Sequence, residues 1–245
     1  MAWWEAALLV GGGLLAGVVN AVAGAGSILT VPLLVLAGVP GNDANGSNRV
    51  GILTSNAAAA VSFRRLGVRG LRDALPILVP VLIGAVVGSL TIGRLTDEGF
   101  ERFFGLLVFP LVILALRKPK VRVDVAPWSK RATVAVFSAI GLYGGAVQAG
   151  IGLVLLAALT RAGYSLVVAN NIKVIVNLSI TVVALPIFVA RGEVDWIPAL
   201  VLASGFTVGG WVGAHAAVKG GERFLRWAMA AAAVLLAGRL LGLYG

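Results

Sequence analysis

Ten apolar segments, two of them too short to cross a bilayer, constrain this chain more than any other feature. They run approximately over residues 3–23, 28–38, 45–63, 73–93, 100–116, 132–149, 151–161, 165–190, 196–218 and 222–243. A helix needs about 20 apolar residues to span the hydrocarbon of a membrane. Eight segments are that long or nearly so. At about 1.5 Å per residue, 28–38 and 151–161 reach only about halfway. Such a pattern excludes a water-soluble globule: 59% of residues are hydrophobic and 12% charged, against roughly 45–50% and about 25% in soluble domains. Lipid must solvate much of the surface.

The net charge of +10 does not imply nucleic-acid binding, because the basic residues sit between apolar runs and no aromatic-interleaved basic patch accompanies them. Their distribution sets an orientation instead. Arg64, Arg65, Arg69 and Arg72, then Arg117, Lys118, Lys120, Arg122, Lys130 and Arg131, with Arg161, Lys219, Arg223 and Arg226, fall on one side. Only Arg94, Arg102, Arg191 and Arg239 fall on the other. The positive-inside rule makes the first side cytoplasmic, with both termini outside. Trp3 and Trp4 suit an interfacial belt, and the N-terminus lacks the basic stretch of a removable signal peptide. The expected location is a cell (inner or plasma) membrane, with lipids as partners and a homodimer left open.

The two halves of the chain echo each other. Gly17, Gly26 and Arg49 match Gly141, Gly150 and Lys173 at 124 positions' distance, and Gly67, Gly84 and Gly88 match Gly192, Gly209 and Gly213 at 125. Five segments per half is an odd number, so the second copy enters the membrane from the opposite side. The loops agree: residues 64–72 are basic, while their counterpart Arg191-Gly-Glu-Val-Asp195 is net acidic. The expected fold is all-α and polytopic, with two inverted repeats, each a broken re-entrant helical hairpin followed by three transmembrane helices. The first repeat covers 1–116, a basic cytoplasmic linker with Pro119 and Pro127 covers 117–131, and the second repeat covers 132–245. Inverted repeats with interrupted helices are a transporter architecture.

Two constellations carry chemistry. The first is the pair of helix breaks, Asn20-Ala-Val-Ala-Gly24-Ala-Gly26-Ser27 and Gly144-Gly145-Ala-Val-Gln148-Ala-Gly150-Ile-Gly152. Broken helices inside hydrocarbon are tolerated only against protein or a water-filled cavity. The short helix after each break offers its N-terminal N–H groups and positive dipole end to an anion. The second constellation is Asn45-Gly-Ser-Asn48-Arg49 with Asn56, and Asn170-Asn171-Ile-Lys173 with Asn177. Arg49 and Lys173 are the two cations inside apolar segments, with no acid at similar depth. An intramembrane charge is costly and normally paired or facing a cavity; a negative substrate would be the missing partner. The candidate binding residues are Asn20, Ser27, Asn48, Arg49, Gln148, Asn171, Lys173 and Asn177, with Gly24, Gly26, Gly150 and Gly152 shaping the half-helix tips. Blander readings stay open: packing glycines for either break alone, and snorkelling for either cation. Gly84/Gly88 and Gly209/Gly213 read as close-packing faces, and His215 as an interfacial or helix-contact residue ahead of a proton relay. No catalytic residue, metal site or cofactor is expected: cysteine is absent, there is one histidine, and no buried acid pair is visible.

On these residues the chain resembles the TauE/SafE sulfite exporter family. The likeness rests on Gly17-Val-Val-Asn20-Ala-Val-Ala-Gly24-Ala-Gly26, Thr30-Val-Pro32 and Gly46-Ser-Asn48-Arg49. In the second half it rests on Gly144-Gly-x-x-Gln148-x-Gly150-x-Gly152 and Asn170-Asn171-Ile-Lys173-x-x-x-Asn177. It extends over nearly the whole chain. The departures are Ala25 and Ser27 in the first glycine run, Arg49 where the family commonly has Lys, and Asn171-Ile172 where it often has Thr-Ser. The resemblance implies export of sulfite or a sulfonate-type anion by alternating access. An anion channel or uniporter is the nearest alternative; an intramembrane enzyme or an accessory subunit is more distant.

Overall fold

Glycine spacing decides how the helices of this protein approach one another. The computed structural model describes residues 1–116 and 129–219. Among them run nine helices and no strands: α1 (Trp3–Ala23), α2 (Ser27–Leu36), α3 (Gly41–Arg65), α4 (Leu71–Ile92), α5 (Asp97–Leu116), α6 (Lys130–Ala146), α7 (Ile151–Arg161), α8 (Leu166–Ala190) and α9 (Trp196–Val218). By length and composition α1, α4, α8 and α9 can cross a membrane. Most of the expected linker, and the expected segment 222–243 with Arg223, Arg226 and Arg239, lie outside the described residues.

Two helix pairs form the frame, and both run parallel. Val10, Leu14 and Val18 of α1 set their carbonyls against Gly205, Gly209 and Gly213 of α9. Val81 and Ala85 of α4 do the same to Gly141 and Gly145 of α6, while Ser138 and Leu142 of α6 return the contact to Gly84 and Gly88. A Cβ added at Gly141 would lie 2.7 Å from the carbonyl carbon of Val81. Apolar surface gains nothing by leaving lipid for another apolar helix, so close backbone approach over small residues supplies the attraction. The GxxxG spacings therefore serve packing, as expected.

Between these pairs stands α3, the least apolar helix and among the most buried. Asn45, Ser47, Asn48, Arg49, Ser55, Asn56 and Ser62 are all buried along it. A helix this polar holds in such a fold only where protein surrounds it and satisfies its side chains. It begins at Gly41, earlier than the apolar run at 45 suggested, because Pro40 leads in and the Asn42 N–H and amide bond Asp97 and the Leu95 carbonyl. Arg49 thus lies more than two turns inside the helix, deeper than the sequence indicated. Conversely α6 ends at Ala146 rather than 149.

The two ends of the bundle carry opposite charge. One gathers the C-terminus of α3, the N-termini of α4, α6 and α8 and the C-terminus of α9, with Arg64, Arg65, Arg69, Arg72, Lys130, Arg131, Arg161 and Lys219. At the other, Asp97 bonds Asn42, Arg191 bonds the carbonyls of Ser89 and Leu90, and the Asp195 N–H bonds Ser47.

Candidate functional site

Each break begins where a helix cannot continue and the chain needs a left-handed residue. Gly24 closes α1 at φ 73°, its N–H on the Asn20 carbonyl, and Gly150 precedes α7 at φ 64°. Gly tolerates this region without steric cost. Gln148 takes φ 62° with a side chain attached, and Tyr143 holds the same break by donating its hydroxyl to the Ala149 carbonyl. The two breaks meet: the Gly152 N–H donates to the Gly24 carbonyl at 3.2 Å. A Cβ on either glycine would strike the other's backbone. The tips of α2 and α7 are therefore neighbours in the interior, with Ile28 against Gly150.

The two intramembrane cations cap the broken helices, each from across the molecule. Arg49 of α3 donates from Nη1 to the Gly144 carbonyl at 3.3 Å and to Gln148 Oε1 at 3.1 Å. Its Nη2 donates to the carbonyls of Gly145 at 2.5 Å and Ala146 at 3.1 Å. Its guanidinium carbon lies 4.2 Å from the centroid of the Phe188 ring, a cation–π geometry. Lys173 of α8 donates to the carbonyls of Asn20 at 2.8 Å and Ala21 at 3.0 Å. So Arg49 caps the C-terminus of α6 and Lys173 that of α1, where a helix dipole favours a cation. Both side chains are fully buried, which removes the snorkelling alternative. The expectation of cations lacking any partner needs correction: main-chain carbonyls and Gln148 meet most of their N–H groups. Their charge is another matter. Among the described residues neither forms an ion pair with an acid.

Around the tips the polar residues fall into two groups. On one side Asn20, Ser27, Thr30 and Asn48 surround the first turn of α2: Thr30 Oγ1 donates to Asn48 Oδ1 at 2.5 Å and to the Gly26 carbonyl at 3.3 Å. Gly26 itself is helical, at φ −55°; it is needed because a Cβ there would sit 2.6 Å from the Ala16 carbonyl. On the other side Gln148 Nε2 donates to Asn177 Oδ1 at 3.0 Å and Thr181 Oγ1 at 2.6 Å. Of the residues expected from sequence, Asn171 alone stands apart. Two residues from Lys173, it lies on the opposite face of α8, bonds the Val68 carbonyl at 3.1 Å, and lines a cavity of about 900 Å³ with Arg64, Arg69, Arg72 and Asp73 at the basic end. Sequence reasoning missed Thr181 and Phe188 altogether and quoted Thr30 only within a motif. Threonine four residues after Asn177 was the available signal for Thr181; Phe188 offered none. His215 behaves as expected, its Nδ1 2.9 Å from Ser62 Oγ on α3.

The model of the protein family described as sulfite exporter TauE/SafE matches residues 9–240. A relative from Sinorhizobium sp., "Probable membrane transporter protein ORF9", is 28% identical over 93% of this chain and 88% of its own. "Probable membrane transporter protein" of Haemophilus influenzae is 26% identical over 87% of this chain and 86% of its own. "Probable membrane transporter protein YfcA" of Escherichia coli K12 is 23% identical over 93% and 86%. No solved structure matches the chain.

Proposed function

The chain belongs to the TauE/SafE sulfite exporter family and is a multi-pass membrane transporter rather than an enzyme, and from that premise we propose that it carries a small oxyanion, sulfite or a sulfonate, by alternating access. The site lies between the tips of α2 and α7, with Asn20, Ser27 and Asn48 on one side, Gln148 and Asn177 on the other, and Arg49 and Lys173 behind them. Two inverted repeats build it. Supporting that architecture are the paired helix lengths, α2 with α7 at 10 and 11 residues and α3 with α8 at 25 each, and the crossed capping of each broken helix by the other half's cation.

The observation that carries the anion is charge. The two helix C-termini contribute about half a negative charge apiece, which leaves roughly one positive charge on the cation pair; among the described residues no carboxylate forms an ion pair with either cation, and Glu193 acts on Arg49 only from a distance. The N-termini of α2 and α7 add positive potential. A small anion completes the balance; a cation or a neutral solute does not. In the transport cycle one cation exchanges a carbonyl for a substrate oxygen, so that substrate loosens one broken helix as it binds. This gives the two-state element that alternating access requires. Export down the membrane potential has about 2.3 kcal/mol per charge per 100 mV available.

Proteoliposome flux of sulfite tests the reading. Arg49→Gln and Lys173→Gln are expected to lose flux at least tenfold, whereas Arg49→Lys, which keeps the charge but not the four-bond fork, retains a measurable part. Equal flux in both glutamine variants would remove the site. Saturation of flux at low substrate separates a carrier from a channel.

A further inference from the structure

The two sides of the centre are not equivalent. On the α7 side donors are spent within the protein: Gln148 Nε2 is shared by Asn177 and Thr181, the Ile151 N–H meets the Gln148 carbonyl at 3.4 Å, and the Gly152 N–H meets Gly24. On the α2 side they are not. Asn20 Nδ2 and Asn48 Nδ2 are buried without a hydrogen-bond partner; on the Arg49 guanidinium, which bonds the other break, Nε alone is unmet. Asn20 is 2% exposed and Asn48 fully buried. Both asparagines stand against the opening turn of α2, Asn20 through Gly26 and Asn48 through Thr30. There, among the described residues, the N–H of Ser27 has no acceptor. Lys173 reaches the same corner, with two of its three ammonium protons on the carbonyls of Asn20 and Ala21.

Buried donors left unmet are costly, and two unmet amide donors beside a free main-chain N–H call for a ligand rich in acceptors. We infer that the anion binds on the α2 side alone, its oxygens taking the amide protons of Asn20 and Asn48 and the N–H of Ser27, with Lys173 as the nearby charge. The ligand is a compact oxyanion with at least two oxygens free to accept. Gln148 is then a positioning residue: it braces the α7 break and Arg49 rather than holding substrate. This rests on the anion-transporter reading and narrows it to one of two pseudo-symmetric places.

Binding of sulfite, with methanesulfonate as a second probe, to the purified full-length chain in detergent tests this. Asn20→Asp and Asn48→Asp keep side-chain size, and the latter keeps an acceptor for Thr30, but each sets a negative charge against the anion. Each is expected to weaken sulfite binding at least tenfold. Thr181→Val, on the α7 side, lowers the melting temperature while leaving sulfite affinity within about threefold. If an aspartate variant does not fold, Asn20→Ala removes the donor without adding charge and is expected to weaken binding at least fivefold. Aspartate or alanine variants that bind like the wild type, or Thr181→Val weakening binding as much as they do, overturn the inference while transport stands. A wild-type protein that neither binds nor moves either anion overturns the transporter reading as well.

Discussion

Gln148 is the one residue other than glycine with positive φ among those described, and a left-handed backbone costs an L-residue roughly 1–2 kcal/mol. It persists because its amide joins Arg49, Asn177 and Thr181, each bond worth about 1 kcal/mol net. Gln148→Gly relieves the backbone but loses all of these, so a net loss of about 1–3 kcal/mol is expected, read as a lower melting temperature. A rise would mean that the network contributes little. At this scale the sequence was legible where chemistry was out of place. Arg49 and Lys173 stood out as charges in apolar runs, whereas Thr30, Thr181 and Phe188 are ordinary residues for a membrane helix and acquire roles only through what faces them. The carbonyl partners of the cations were invisible because a helix end is a property of backbone conformation, not of side chains.

Helix pairing depends on glycines that differ sharply in surroundings. Gly88 faces the Leu142 carbonyl, and an added Cβ would lie 2.9 Å from the Ala146 nitrogen; Gly11 has nothing within 4 Å. Gly88→Ala is therefore expected to destabilise by about 1–3 kcal/mol through overpacking and to push α4 off α6. Gly11→Ala should be neutral, or stabilising by up to about 1 kcal/mol through helix propensity. Thermal unfolding of both in one detergent checks the contrast, and equal effects would contradict the packing described here. Most helices were readable from apolar run length. The start of α3 was not, because Gly41–Ala44 is polar and becomes helical through bonds to the chain around Asp97. Nor was the end of α6, because Val147 extends the apolar run while the backbone has already turned.

At the scale of the molecule, the gradient among the described residues from a basic to an acidic end would give the proposed anion a direction of approach. Arg64, Arg69 and Arg72 line the cavity at the basic end, and charge-lined clefts concentrate counter-ions. The Arg64→Gln/Arg69→Gln/Arg72→Gln variant is expected to raise KM for sulfite several-fold when substrate is added on that side. It should also flatten the salt dependence, since screening acts within a Debye length of about 8–10 Å. KM from the opposite side should not change; an equal rise on both sides would deny the cavity any role in entry. That asymmetry was legible from the placement of basic residues, while the cavity itself was not, since it depends on how the loop after α3 sits over α8.

One contact limits how the protein can move. Gly24 and Gly152 touch through main chain alone, leaving no room for a side chain on either. In the rocking motion proposed above, one half would swing against the other about this point, as a balance beam swings on its knife-edge. Because only backbone forms the edge, under that proposal the surrounding residues could be retuned for different cargo without shifting the axis of tilt.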